Sequence, residues 1–160
     1  MTDRTRVIIH TINLGDVIRE LRTKSQAGTV LVSAAVVDDG LQQLLLTKMR
    51  TLSNNKANRI FNGPLRSFTA KIDVAYAFEL IDDELYDDLT TIRDIRNEFA
   101  HSVNETHFER PEIVELVQRF KGREASSIDA FSFFQHRIDS CSNQIKGKLD
   151  RFLFDHAVKD

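Results

Sequence analysis

Along most of the chain, apolar residues recur every three or four positions, and no stretch alternates cleanly enough to demand a strand. The broadest pattern lies at residues 28–49. Val30, Ala34, Val37, Leu41 and Leu44 form a stripe that Leu31, Ala35 and Leu45 widen. A helix apolar on most sides belongs at the centre of a bundle. Asp38 and Asp39 interrupt it, followed by Gly40. Two carboxylates midway along a central helix either face solvent, hold a nearby arginine, or line a polar site.

The other elements follow from periodicity and punctuation. Residues 16–24 predict a short first helix on Val17, Ile18 and Leu21, after an extended or disordered segment at 1–12. Residues 52–65 are the least helical part of the chain, with NGPL as a turn in which Gly63 tolerates positive φ. Ile60, Phe61 and Leu65 would pack this loop onto the bundle. Ser67 is an N-cap for a helix running to Ile81. Asp82 and Asp83 suit the positive end of the next helix, where Leu85, Leu89, Ile92, Ile95 and Phe99 form a clean amphipathic stripe. Arg110 or Pro111 opens a fifth helix. Ser126 or Ser127 caps a last one to about His156, with Phe131, Phe134, Ile138, Cys141, Ile145, Leu149 and Phe152 as its seam. The expected fold is all-α, a single-domain bundle of about six helices over residues 1–160.

Composition narrows the function. With 160 residues, 41% hydrophobic and 29% charged, the chain suits one globular domain. A net charge of −2 with both signs interspersed is not that of a basic domain built to grip DNA. Cys141 is the only cysteine, which excludes an intramolecular disulfide and fits a reducing cytoplasm. The N-terminus lacks a signal-peptide pattern, and the longest apolar run, in VLVSAAVV, is far short of a bilayer span. His10, His107, His136 and His156 lack metal-ligand spacing. No cofactor, metal or membrane is therefore expected. Lys48, Arg50, Lys56 and Arg59 read as solvated loop charge, and Phe131, Phe133 and Phe134 as core or dimer interface.

The stretch carrying the most chemistry is IRDIRNEFAHS, residues 92–102. Asn97 and His101 share a helix face, as do Arg93 and Asn97. Arg96 stands about 140° around the helix from His101. The two converge only through the long arginine side chain, through an early helix end, or through a second copy across a two-fold axis. Such a group could cleave RNA without metal: His101 moving a proton, Arg96 holding the phosphate, Asn97 orienting either. From spacing alone the structural reading of the same residues is the stronger one. Basic groups near a helix C-terminus complement its dipole, and Arg96 could pair with Asp38, Asp39 or Glu98. Catalytic candidates are thus Arg96, Asn97 and His101, and binding candidates Arg93, Glu98, Asp38 and Asp39.

Three segments together carry a family resemblance: GPL at 63–65, SFTAKIDVAYAFELI at 67–81 and IRDIRNEFAH at 92–101. They strongly resemble the mannitol operon repressor (MltR-like) family. The resemblance implies an all-helical transcriptional regulator, a repressor that acts by binding. No short helix–turn–helix with a basic recognition helix is evident, so repression would work through a protein partner. A homodimer is expected, and direct binding of DNA or RNA stays open. RNEFAH also resembles the RNxxxH pattern of the HEPN superfamily, helical proteins that include metal-independent endoribonucleases; Arg96, Asn97 and His101 match it position by position.

Overall fold

The computed structural model describes residues 25–101 and 107–157. The helix predicted at 16–24 and the N-terminal segment at 1–12 lie outside those residues. The described residues form six helices and no strand: α1 (Gln26–Leu46), α2 (Asn54–Phe61), α3 (Phe68–Ala77), α4 (Asp83–His101), α5 (Pro111–Val117) and α6 (Ala130–Ala157). The all-α expectation holds.

The centre of the bundle is α1, which packs against α6, α4 and α3. Its stripe of Val30, Ala34, Val37, Leu41, Leu44 and Leu45 is buried. By length and composition α1 would also pass for a membrane-crossing helix, but here its stripe from Val30 to Leu45 is buried against neighbouring helices. Ser25 starts it, its Oγ accepting from the Gly28 N–H at 2.9 Å. Gly40 lets α6 approach closely, since a Cβ there would stand 3.1 Å from Cγ2 of Ile145. On α4, Leu85, Leu89, Ile92, Ile95 and Phe99 all face inward, as their spacing predicts. The α6 seam is buried from Phe134 through Ile138, Cys141, Ile145 and Leu149. Phe108 stacks between Phe99, Phe131 and Phe134, so Phe131 and Phe134 belong to the core.

Several boundaries differ from expectation. Residues 54–61, expected as loop, form α2. Asparagine disfavours helix interiors, but Ala57, Ile60 and Phe61 fall at i, i+3 and i+4, and burying Phe61 outweighs that weak local preference. Gly63 does not take positive φ; Gly122 is the described glycine that does. Gly63 matters for space instead, because a Cβ would sit 2.5 Å from the Arg59 carbonyl oxygen.

Ser67 does cap α3, accepting from the Ala70 N–H at 3.0 Å. That helix stops at Ala77, four residues before Ile81. Glu79 adopts φ 55°, and the Glu79 and Leu80 N–H groups donate back to the Tyr76 and Ala75 carbonyls. This is a Schellman ending, closed by a glutamate where glycine is usual. Leu80 and Ile81 still reach the core. Asp82 opens α4 by accepting from the Leu85 N–H. Asp129, not Ser126 or Ser127, caps α6; its carboxylate accepts from both the N–H and the hydroxyl of Ser132. These bonds, backbone first, hold the Asp129 carboxyl below its ordinary value.

Candidate functional site

The two most distinctive motifs meet in space. The turn and helix start at residues 63–69 and the arginine-rich face of α4 line opposite sides of one open cleft of about 820 Å³, floored by α1. From α1 come Leu31, Ala34, Ala35 and Asp38. Gly63, Pro64, Arg66, Ser67, Phe68 and Thr69 form one wall, and Arg93, Arg96, Asn97 and Ala100 the other.

Asp38 lines this cleft, as one of its expected readings has it, but its cation is a lysine from α3 and not an arginine. Lys71 Nζ donates to both carboxylate oxygens, at 2.9 and 3.0 Å. The lysine side chain is 6% exposed and the aspartate 29%, so the pair is buried on the α3 side and wet on the cleft side. Asp39 is exposed and does not line the cleft, and the same is true of Glu98. Arg93 is half-buried. Its Nε and Nη2 donate to Asp94, and its Nη1 reaches the Thr69 hydroxyl at 3.4 Å, tying α4 to the start of α3. Asp94 also accepts from Arg119, just beyond α5.

Arg96 makes none of the carboxylate links considered for it. Its Nη1 donates to the Asn97 side-chain oxygen at 3.0 Å, and the guanidinium is exposed. Arg66, on the opposite wall, is exposed as well. Among the described residues neither guanidinium has a carboxylate partner. His101 is the last residue of α4 and is exposed. It is not among the residues lining the cleft, so within one chain Arg96 and Asn97 share the cavity wall without it. His107 and His136 are exposed. No group of three or more His, Cys, Asp or Glu suited to a metal occurs among the described residues.

Sequence reasoning missed Arg66 as a cleft residue and Lys71 as the buried partner of Asp38 behind it. Lys71 was detectable. It sits at an inward position of the stripe Phe68, Lys71, Ile72, Ala75, and a lysine pointing inward needs an anion. Arg66 carried no such signal, because an arginine beside a turn is ordinary.

A second ionic centre lies in the core between α4 and α6. Asp88, 3% exposed, accepts from Arg137 Nη2, and the Cys141 thiol lies 3.8 Å from the same carboxylate. Arg137 also reaches Glu84, which pairs with Lys121. Burial raises the Asp88 carboxyl above its ordinary value, against the opposing pull of Arg137. Burial, with the Asp88 charge, pushes the Cys141 thiol far up. The Asp88–Cys141 end of this cluster is buried, its Glu84–Lys121 end lies at the surface, and none of it lines the cleft.

The signature segments of this all-helical domain thus converge on one cleft lined by three arginines, with Asp38 and Asn97 as further polar groups. The chain belongs to the mannitol repressor family, whose family model matches residues 60–152. That span contains α3, α4, α5, most of α6 and both walls of the cleft, but not its α1 floor. A solved structure, the X-ray structure of the MtlR–HPr complex from Escherichia coli, shares the fold at TM-score 0.55 and 15% identity, covering 87% of this chain and 97% of that one. No curated protein matches the sequence.

Proposed function

We propose that this chain is a cytoplasmic, homodimeric regulator of a sugar-alcohol operon that represses by holding a protein partner, not by reading DNA itself. The observation that carries this reading is membership of the mannitol repressor family across residues 60–152. Two further observations support a protein partner. A solved structure of the same fold is that of a complex with the protein HPr. The chain's net charge of −2 provides little of the electrostatic attraction that non-specific DNA binding draws on. A partner of the HPr kind is therefore the first to test.

The experiment is calorimetric titration of the purified chain with HPr from the same cell, alongside a gel shift on promoter DNA. A saturable one-to-one complex with HPr and no shift of DNA at physiological salt is the expected result. A sequence-specific DNA shift by the chain alone would overturn the indirect mode. Unchanged reporter expression in a deletion strain would overturn repression. Sedimentation over a wide concentration range tests the dimer, and a monomer mass throughout would refute it.

A further inference from the structure

We propose that the cleft between the 63–69 segment and α4 is a binding site for a small organic phosphate, one phosphate group on a hydroxyl-bearing body of about sugar size. The charge argument rests on the cleft alone, and the choice of a hexitol body rests on the sugar-alcohol reading above.

The charge balance of the cavity selects the ligand. Three arginines and one aspartate line it. Asp38 is neutralised by Lys71, and Arg93 is held by Asp94, a carboxylate it shares with Arg119 outside the cleft. Arg66 and Arg96 remain, from opposite walls, as two exposed guanidiniums with no carboxylate partner among the described residues. Their combined charge of about +2 matches a phosphate monoester, which carries roughly −1.5 to −2 near neutral pH; a single carboxylate would leave one arginine uncompensated. Guanidinium forks fit phosphate oxygens in bidentate fashion. Asn97 holds the Arg96 guanidinium by its side-chain oxygen, which keeps that cation at the cavity wall.

The rest of the cleft suits a polar, uncharged body. Asp38 is partly exposed toward the cavity and already bonded by Lys71 on its buried side, so it can accept from a ligand hydroxyl. The Thr69 hydroxyl and the Asn97 amide add further polar groups. At about 820 Å³ the volume is in the range of small-molecule clefts and leaves room for a six-carbon body. A nucleic acid would need a longer basic track with exposed aromatic rings for its bases.

The test uses the full chain with defined probes: inorganic phosphate, a hexitol phosphate and the uncharged hexitol, with sodium chloride at matched ionic strength. Binding is read by calorimetry and by the shift in thermal midpoint. The hexitol phosphate is expected to bind at one site per chain, more tightly than inorganic phosphate, with the uncharged hexitol silent. Arg66→Gln and Arg96→Gln should each weaken it on the order of 10-fold or more, because each removes a charge-assisted bond. Lys121→Gln, on a surface cation that pairs with Glu84, should leave affinity unchanged. Both arginines are exposed, so the variants are expected to fold, and an unaltered midpoint without ligand checks this. Equal shifts with sodium chloride, undiminished affinity in both variants, or binding of single-stranded RNA through Arg66 and Arg96 without binding of the hexitol phosphate would each overturn the proposal.

Discussion

Removing Asp38 should harm the fold more than removing its partner Lys71. The two side chains form one ion pair, but they are buried unequally, 29% exposed for the aspartate against 6% for the lysine. Asp38→Ala leaves an ammonium enclosed by α1 and α3 with neither a counter-ion nor ready access to water. Breaking a buried pair from one side costs about 3–5 kcal/mol. The pair is wet at its Asp38 end, which is 29% exposed, so we expect the lower end, about 3 kcal/mol. Lys71→Met leaves a carboxylate that the cleft can hydrate and replaces the lysine stem with an apolar one, at a cost of about 1–2 kcal/mol. The double variant removes both charges. It should be more stable than Asp38→Ala alone by about 1–2 kcal/mol, because replacing a buried pair by apolar groups is often near neutral. Urea unfolding of the four proteins measures this, provided the slope with denaturant stays constant. Additive losses in the double variant would refute the argument, since they would mean that the stranded ammonium carries no penalty of its own.

The other expectations concern the core and the RNxxxH segment. Arg137→Met strands the Asp88 carboxylate in the core and should cost about 3 kcal/mol in urea unfolding. Burial raises the folded pKa of Asp88, so its contribution is fully present below its unfolded value and is lost as pH rises through the folded one. Wild type should therefore gain stability relative to Asp88→Asn as pH falls through the carboxylate range; a relative loss would show that Arg137 outweighs burial. Gly40→Ala sets a helix-propensity gain of about 1 kcal/mol against a Cβ 3.1 Å from Ile145, and should be near neutral. Gly40→Val should cost about 1–3 kcal/mol by wedging α1 from α6, and equal midpoints for the two variants would count against that close approach. Cys141 is buried and its thiol pushed far up in pKa, so a maleimide should label it only as fast as the protein unfolds. With RNA and no metal, the chain should leave no 2′,3′-cyclic phosphate ends, because His101 does not line the cleft that holds Arg96. Cleavage abolished by His101→Ala would overturn this and favour a dimeric nuclease.

Much of the architecture was legible from local pattern. The α1 and α4 stripes, the Ser67 cap, the Asp82 start of α4 and the proline opening of α5 all depend on residues within one or two turns of one another, and that is the range over which periodicity and capping act. The misses were of two kinds. At α2, asparagine-rich sequence disfavours helix locally, and only the burial of Phe61 against the bundle reverses the balance. At the end of α3, Glu79 takes a left-handed conformation that its residue type does not announce, because the return to the core through Leu80 and Ile81 imposes it. The cap of α6 was misplaced by two or three residues, since Ser126, Ser127 and Asp129 all qualify by type and the tertiary path selects Asp129.

The site divides in the same way. By itself the sequence determined that this is a helical protein with the signature of a mannitol repressor, that Asp38 interrupts a central helix, and that Arg93, Arg96 and Asn97 crowd one end of another. Which of these groups share a cavity was decided by tertiary structure alone. Asp38 meets Lys71 across 33 residues of chain, and Arg137 meets Asp88 across 49. Arg66 lines the same cleft as the α4 arginines because α3 and α4 both pack on α1, while His101 stays outside it. Electrostatic pairing depends on distance in space and on access to water, and neither is encoded in the spacing of residues along a single helix.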